Sequence, residues 1–542
     1  MAVPVHPGLE VTLARRELLA LLAAPSAWAA DCSDAPGNAY LPPCTPPPRG
    51  IEGQRKADMG DGRYVNPVLA GDRPDPTVLK DGDDYYLTHS SFEALPGLLI
   101  WHSRDLVNWQ PLANALLEPV GSVWAPDLCQ HAGRYYLYLP VKGTPNDILV
   151  IHAERIEGPW SRPVPLGLPR HIDPTHVVGE DGRRWLFLSG GDRVPLTDDG
   201  LKLAGPIEHV YDPWHYPEDW DVESFSPEGP KLVRHGGWWH MLLAVGGTAG
   251  PPTGHMVIAA RSRSLDGPWE QAPHNPLLRT RSACERWWSR GHGSLVQGPR
   301  GDWWMLYHGY ENGFHTLGRQ TLLAPARFGE DGWFHIDADD GAPLPKPAGG
   351  EVVPHGLPLS DDFAGTALKP HWQFLSGGAG QLARVRVADG WLHVKATGSG
   401  PADSPPIGFI QGDPAFEVEF DLDFDEGVQA GLLMFYSPRL YAGMGANAKS
   451  LQLHRYGQDI RAVPKPAGIA RRMQLKLRCV RHVLTLFSRA GAAQPWAKFP
   501  VQMDVSGYHH NTAGGFASLR PALYAAGRGE ARIAHVRYRA LD

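Results

Sequence analysis

Three carboxylates and a histidine occupy equivalent places in a pattern that recurs five times along this chain of 542 residues. Each copy begins with a short strand-like run, namely DPTVL, APDLC, DPTHVV, EGPKLV and GHGSLV. The corresponding positions in these runs are Asp75, Ala125, Asp173, Glu228 and His292. Unpaired carboxylates that converge on one place are costly, because like charges at short range disfavour ionisation. Such a cluster therefore indicates a functional site.

Glycoside hydrolysis is a chemistry that needs this set of groups. It requires two carboxyl groups on either side of the scissile bond, and inversion requires them to lie roughly 6.5–9.5 Å apart so that water fits beside the sugar. We expect Asp75 to be the general base and Glu228 the general acid. Asp173 then places a negative charge beside Glu228 that favours its protonated form. The alternative is that each residue only starts a strand or turn, but their shared position in the repeat favours the catalytic reading.

The elements that must position these groups are visible in a second part of each repeat. A turn rich in Gly, Asp or Arg is followed by two bulky residues, usually aromatic, and an apolar run. The first of each such pair is Tyr85, Tyr135, Arg184, Trp238 or Trp303. Successive pairs lie about 50 to 65 residues apart, close to the size of a four-stranded propeller blade. The sequence therefore predicts an all-β fold with a five-bladed β-propeller, whose innermost strands bring equivalent residues to one mouth of the channel. An antiparallel sandwich with coincidental hairpins is the alternative.

Composition shifts divide the chain into five parts. Residues 1–29 resemble a signal peptide, with Arg15 and Arg16 before an apolar run that ends in a small-x-small site, and both Tat and Sec export remain open. A Pro-rich segment follows at 30–60, then the propeller at 61–340 and a Pro/Gly-rich linker at 341–359. Alternating strands over 360–542 predict a C-terminal concanavalin-like β-sandwich. The expected location is periplasmic or secreted, where Cys32 and Cys44 have the opportunity to form a disulfide.

Charge and motif content exclude several classes of protein. The formal net charge is −7, and no block of lysines and arginines offers a footprint for nucleic acid. No apolar run is long enough for a membrane anchor, and no GxSxG, HExxH or P-loop motif occurs. We expect an oligosaccharide substrate and no cofactor; a calcium ion near His292 is left open but not predicted, because no cluster of oxygen ligands is visible. The sequence does not indicate an oligomeric state.

The motifs as a group resemble the glycoside hydrolases of family 43, the inverting β-xylosidase and α-L-arabinofuranosidase group. The resemblance extends from Asn66 to Gln320 and rests on these stretches: NPVLAGDRPDPTV, DDYYLTHSSFEALPGLLIWHSRDLVNW, VWAPDL, IDPTHV, SPEGPKL, GHGSLV and LGRQ. It implies that Asp75 is the general base, Asp173 the modulator of the acid and Glu228 the general acid. It further implies that the substrate-binding residues are Phe92, Trp124, His292 and Arg319.

The C-terminal domain resembles the sandwich of the β-xylosidase branch, chiefly in AGLLMFYSPRLYAGMGAN at 430–447. The resemblance implies that a sandwich loop helps to close the pocket, which suits exo action. Two departures are Arg73, where many relatives carry a small polar residue, and a long insert at 209–225 that includes Trp214, Trp220 and Glu223.

The predicted function is an exo-acting inverting glycoside hydrolase that releases xylose or arabinofuranose from hemicellulose oligosaccharides, with β-xylosidase activity favoured. α-L-Arabinofuranosidase activity is the alternative, since the two sugars present similar hydroxyl arrays to one pocket. A non-catalytic carbohydrate-binding propeller is the alternative of another class.

Overall fold

The computed structural model describes residues 47–338, 341–376, 378–466 and 468–541. The predicted signal peptide, Cys32 and Cys44 lie outside these residues. Five consecutive sheets are followed by two seven-stranded sheets. The predicted fold class is therefore confirmed: a five-bladed β-propeller precedes a β-sandwich.

Each blade is an antiparallel sheet built from consecutive strands. Blade 1 contains Thr77–Asp81, Asp84–Thr88, Gly97–Ser103 and Gln110–Leu116. Blade 2 contains Ser122–Val123, Asp127–His131, Arg134–Lys142, Asp147–Ala153 and Val164–Pro165. Blade 3 contains Thr175–Val178, Arg184–Phe187, Asp192–Leu196 and Glu208–His209. Blade 4 contains Glu228–His235, Trp238–Val245, Met256–Ser262, Glu270–Gln271 and Leu278–Arg279. Blade 5 contains Trp287–Gln297, Trp303–Glu311, Arg319–Phe328 and Phe334–Ile336.

The recurring turn is the hairpin between the strand nearest the axis and the next strand outward. In blade 1 it pairs Asp81 with Asp84, and in blade 5 it pairs Gln297 with Trp303. The bulky residues after each turn begin a strand that packs between neighbouring blades. Trp238–Val245 accordingly is buried at every position except the first. Apolar runs, rather than strict alternation, are expected where both faces of a strand are covered.

Hydrogen bonds between inner strands close the ring. The hydroxyl of Ser294 in blade 5 donates to the carbonyl of Pro76, beside blade 1, at 2.8 Å. Across the channel, Lys231 Nζ lies 2.6 Å from Asp127 Oδ1, and both side chains are largely buried. This ion pair joins blade 4 to blade 2. The channel is therefore crossed by a bound pair of charges and is not an open pore.

The C-terminal domain is a sandwich of two seven-stranded sheets. One sheet contains Gln373–Phe374, Ile407–Gly408, Arg520–Gly527, Val428–Ser437, Leu440–Ala446, Ser450–Arg455 and Gln458–Pro464. The other contains Val385–Ala388, Trp391–Lys395, Glu530–Ala540, Ala415–Phe424, Met473–Val480, Val483–Arg489 and Ala497–Asp504. A single hydrophobic cluster runs from the outer strands of blade 1 into the sandwich, and includes Trp101 and Trp372. The two domains therefore share a continuous apolar core.

The remaining elements are short. A two-stranded ribbon pairs Arg63–Tyr64 with Leu344–Pro345. The helices are the 3₁₀ turns Ile51–Gly53, Ser189–Gly191, His315–Leu317 and Leu382–Arg384 and the α-helical turn His510–Ala513. Across the described ranges, none of these helices has the length or apolar character to cross a membrane.

Candidate active site

A pocket at the mouth of the channel gathers every site residue that the sequence predicts. Its lining consists of Asp75, Phe92, Trp124, Ala125, Ile172, Asp173, Glu228, Thr248, His292, Arg319 and Phe516. All five blades and one sandwich loop contribute to this set. The convergence of equivalent strand positions is what places these distant segments side by side.

His292 lies at the centre of the three carboxylates. Its Nε2 is 3.4 Å from Glu228 Oε1, 3.6 Å from Asp173 Oδ2 and 3.8 Å from Asp75 Oδ1. Because both oxygens contact the same nitrogen, at 3.4 Å and 3.8 Å, Glu228 Oε1 and Asp75 Oδ1 are at most about 7 Å apart. This upper limit lies within the range of carboxyl separations that inversion requires. All four side chains are within reach of a single sugar ring.

Unusual backbone conformations aim these side chains into the pocket. Asp75, Asp173 and His292 have φ of 56°, 53° and 51°, and Phe92 has 51°. Left-handed φ is uncommon for residues other than glycine and is held only where the surroundings require it, typically at functional sites. Gly229 of the EGP motif lies close to the same histidine. A Cβ atom at this position would lie 2.7 Å from His292 Nδ1, so a side chain would clash there.

Asp75 is buried yet held in its ionised form. Arg319 Nη1 donates to Oδ1 at 2.8 Å, His308 Nδ1 lies 3.0 Å from the same oxygen, and the Ser90 hydroxyl donates to Oδ2. Burial raises the pKa of Asp75, but the charges of Arg319 and His292 and the contact with His308 outweigh burial and hold it well below its usual range. A carboxylate in this state is available to accept a proton.

The opposite side of the pocket retains a proton. Burial raises the pKa of Asp173 to about 8, and the charges of Glu228 and Asp75 raise it while His292 opposes them. Asp173 therefore holds a proton near neutral pH, as expected for a carboxyl group that shares a buried site with other carboxylates. Burial lowers the pKa of His292, but Asp75, Glu228 and Asp173 together raise it to about 9. The protonated ring of His292 therefore balances the negative charge of the carboxylates from the floor of the pocket.

Aromatic rings from both domains wall the pocket. Phe92 and Phe516 are stacked, with ring centroids 6.3 Å apart and planes inclined by 17°. Trp124 meets Phe516 edge-on at 5.2 Å. The Arg319 guanidinium lies 5.6 Å from the Phe516 ring centre. Ring faces of this kind pack against the apolar face of a sugar while polar groups bind its hydroxyls.

Sequence reasoning did not identify every residue of the site. Ile172 and Thr248 also line the pocket, and Phe516 lies in a sandwich loop with no repeat to mark it. Ile172 was detectable as the neighbour of Asp173. Phe516 follows a Gly-Gly pair, which alone is a weak signal for a loop.

The long insert lies beside the pocket rather than in its lining. Trp214 and Trp220 pack against the apolar cluster of blades 3 and 4. Glu223 Oε2 accepts hydrogen bonds from the backbone N–H groups of Ala249 and Gly250, at 2.7 and 2.9 Å. The insert thereby fixes the loop that carries Thr248.

A group with metal-ligand atoms overlaps the site. One ligand atom each of Glu228, His255 and His292 lies within 4.8 Å of the others. Calcium prefers six to eight oxygen ligands, and this set offers a single carboxylate beside two imidazoles. These three residues therefore do not fit calcium, and the proposed reaction uses no metal ion.

The family follows from the match of the catalytic region. Residues 64–334, half of the chain, match the model described as glycosyl hydrolases family 43. This chain belongs to that family. Residues 360–540 of the family 43 chain match the β-xylosidase C-terminal concanavalin A-like domain.

Curated relatives and solved structures support the same assignment. A xylan 1,3-β-xylosidase from a Vibrio species is 32% identical over 318 residues, which cover 50% of the family 43 chain and 57% of the relative. A non-reducing end α-L-arabinofuranosidase from Bacteroides ovatus is 30% identical over 354 residues, covering 62% and 65%. The chain thus spans less than two thirds of either curated relative. The crystal structure of xylan β-1,4-xylosidase from Bacillus halodurans is 27% identical, with a TM-score of 0.78 over 88% of this chain and 99% of that chain.

Proposed function

We propose that this chain is an exo-acting, inverting glycoside hydrolase that releases terminal xylose from hemicellulose oligosaccharides. The observation that carries the proposal is the contact of one histidine nitrogen with three carboxylates, at 3.4 to 3.8 Å, on the floor of an aromatic-walled pocket. Asp75 is held ionised, and Asp173 retains a proton. An acid and a base are therefore present together at neutral pH, as this reaction requires.

Each carboxylate has a distinct role in the proposed reaction. Asp75 accepts a proton from the water that attacks the anomeric carbon, and Glu228 donates a proton to the glycosidic oxygen as the bond breaks. Asp173 is the modulator: burial and the charge of Glu228 raise its pKa to about 8, which keeps a proton on the acid side of the pocket. Arg319, His308 and Ser90 hold Asp75 in place and ionised.

Phe516 supports exo action. It closes one side of the pocket from the sandwich, against Phe92 and Trp124 of the propeller. A pocket walled in this way accepts one terminal sugar and leaves no cleft for a chain that runs through. The leaving group then extends toward the side bounded by Thr248 and the insert.

The names of the relatives favour xylose. Several curated relatives are named as β-xylosidases, two as xylosidase/arabinosidase and one as a non-reducing end α-L-arabinofuranosidase. α-L-Arabinofuranosidase activity is therefore the second candidate within the same pocket. Both sugars are pentoses and are expected to contact the same aromatic walls.

Hydrolysis of p-nitrophenyl β-D-xylopyranoside and p-nitrophenyl α-L-arabinofuranoside tests the proposal, with the product anomer followed by NMR. We expect release of xylose as the α-anomer, the inverted product, and a higher kcat/KM for the xyloside. A retained anomer contradicts inversion, and a higher rate on the arabinoside selects the second candidate. Binding of xylose oligosaccharides without hydrolysis assigns the protein to the non-catalytic class.

We further propose that the protein is exported and that hydrolysis needs no metal cofactor. Export rests on the twin-arginine and apolar pattern of residues 1–29, which lie outside the described residues. N-terminal sequencing of protein from the periplasm or culture medium tests it, with Ala30 expected as the first residue. Independence from metal rests on the complete acid and base pair, and predicts unchanged kcat after dialysis against EDTA.

A further inference from the structure

Arg73 carries a buried charge that lacks a carboxylate partner. Its side chain is only 5% exposed, Nη1 donates to the Asp72 carbonyl at 3.0 Å, and the guanidinium lies 5.3 Å from the Trp101 ring centre. Among the residues that the structure describes, no carboxylate oxygen lies within 4.0 Å of this guanidinium. Its Nε has no hydrogen-bond partner in the same set.

The nearest negative charge is already paired. Asp72 Oδ2 lies 2.9 Å from Arg520 Nη2 and also accepts a hydrogen bond from the Ser518 backbone N–H at 2.9 Å. Asp72 is therefore paired with Arg520 rather than with Arg73. Burial lowers the pKa of Arg73 to about 9, with Asp72 opposing that shift and Arg520 adding to it. A buried charge is costly unless it is paired, so this region lacks one negative charge.

A small cavity lies beside Arg73 at the seam between the two domains. Its lining consists of Arg73, His89, Leu99, Leu357, Pro370, His371, Gln373 and Ile410. Its volume of about 10 Å³ holds one species of roughly the size of a water molecule. His89 Nε2 and both ring nitrogens of His371 are buried without partners among the described residues. No acidic residue belongs to this lining.

A second cavity that Arg73 lines does contain an acidic group, Asp413. That carboxylate accepts hydrogen bonds from the Arg55 backbone N–H at 3.0 Å and from the Tyr538 hydroxyl at 2.7 Å. Asp413 Oδ1 also lies 3.7 Å from Arg49 Nη1, so this carboxylate is already engaged with other partners. Asp413 therefore does not supply the missing charge.

We propose that the cavity formed by Arg73, His89 and His371 binds a small monovalent inorganic anion of the size of chloride. A water molecule would satisfy the orphaned nitrogens but would leave the charge of Arg73 unbalanced. His89 Nδ1 lies 2.8 Å from the Ser90 carbonyl and so carries a hydrogen, which leaves Nε2 to donate only in the protonated ring. Burial and then the charge of Arg73 lower the pKa of His89 to about 3, and a bound anion offsets both effects.

The anion would brace the segment that carries Asp75. Arg73 lies two residues before Asp75, and its backbone N–H donates to the Arg319 carbonyl at 2.8 Å. On the other side of the cavity, His89 precedes Ser90, whose hydroxyl binds Asp75 Oδ2. His371 and Gln373 belong to the sandwich. The bound anion therefore links both domains to the start of the first strand of blade 1. This link does not depend on which reaction the pocket performs.

Thermal unfolding of the full chain in sodium chloride and in sodium gluconate of equal ionic strength tests the proposal. We expect the wild type to unfold roughly 2–4 °C higher in chloride, because a ligand that binds only the folded state stabilises it. Arg73→Met should remove this difference. Arg183→Gln, which alters an exposed arginine paired with Asp181, should keep it and thereby controls for general salt effects.

Crystals of the wild type soaked in sodium bromide provide a second measurement that does not depend on the folding of a variant. We expect an anomalous peak within hydrogen-bond distance of the Arg73 guanidinium and a ring nitrogen of His89 or His371. Water density without an anomalous peak overturns the proposal. An equal chloride effect in wild type and Arg73→Met overturns it as well. Neither result bears on glycoside hydrolysis, so the two proposals fail separately.

Discussion

Phe516 of the sandwich and Phe92 of the propeller lie with their ring centroids 6.3 Å apart and their planes within 17° of parallel. The two residues are 424 positions apart in the chain, yet they form one wall of one pocket. The propeller supplies the carboxylates and the sandwich supplies part of the enclosure. The active site is therefore a product of both domains.

Phe516→Ala should lower kcat/KM for the xyloside by about tenfold, because an aromatic contact of this kind contributes about 1 kcal/mol and truncation opens the pocket to water. Steady-state kinetics measure the effect. Ile460→Ala, which truncates a half-exposed apolar side chain of the same domain, should leave the kinetics unchanged. Equal kinetics for Phe516→Ala and the wild type would show that the sandwich wall has no part in binding.

Asp75→Asn and Glu228→Gln should each lower kcat by about 10²–10⁴-fold, the usual range for loss of a general base or acid. Both replacements keep the shape of the side chain, but Asp75→Asn should also lower the unfolding temperature, because it leaves the buried Arg319 without its counter-charge. Asp83→Asn removes an exposed carboxylate of the blade 1 hairpin and serves as the matched control. Near-normal turnover by either site variant is the result that rejects its assigned role.

The pH profile of kcat/KM should show a high-pH limb near 8, where Asp173 loses its proton. Below that pH the acid side of the pocket keeps the proton that the leaving group needs, and activity falls as the pH rises through it. Activity should persist well into the acid range, because the pKa of Asp75 lies well below its usual value.

Asp173→Asn should remove the high-pH limb near 8, since it removes the carboxyl group whose pKa burial and the neighbouring carboxylates raise to about 8. Asp181→Asn, at an exposed surface pair, is the control and should leave the profile in place. A limb that stays near pH 8 in Asp173→Asn would exclude Asp173 as the modulator.

Lys231→Met should lower the free energy of unfolding by about 3–5 kcal/mol, because it leaves Asp127 buried without its cation in the channel. Urea denaturation measures the loss. Removal of the exposed Arg183 and Asp181 pair should cost no more than about 1 kcal/mol. A loss of that smaller size for Lys231→Met would mean that water enters the channel and solvates Asp127.

The local pattern of the chain determined the blades and the set of polar residues that meet in the pocket. Turn residues and paired bulky residues act within a hairpin, so the five repeats identify five blades from the sequence alone. The equivalence of Asp75, Asp173, Glu228 and His292 within those repeats then follows from symmetry, because matched positions on inner strands meet at one channel mouth. The sequence needed no knowledge of packing for either conclusion.

The tertiary structure decided what packing between distant segments controls. Phe516 enters the pocket through a loop whose position depends on the apolar core that the two domains share, and no local signal encodes that contact. The proton held by Asp173 depends on burial and on the charges of His292, Glu228 and Asp75. Arg73 is read in the sequence as a departure from its relatives, and only the structure shows it as a buried charge without a partner. Burial and charge balance are properties of the assembled fold, which is why the sequence leaves them open.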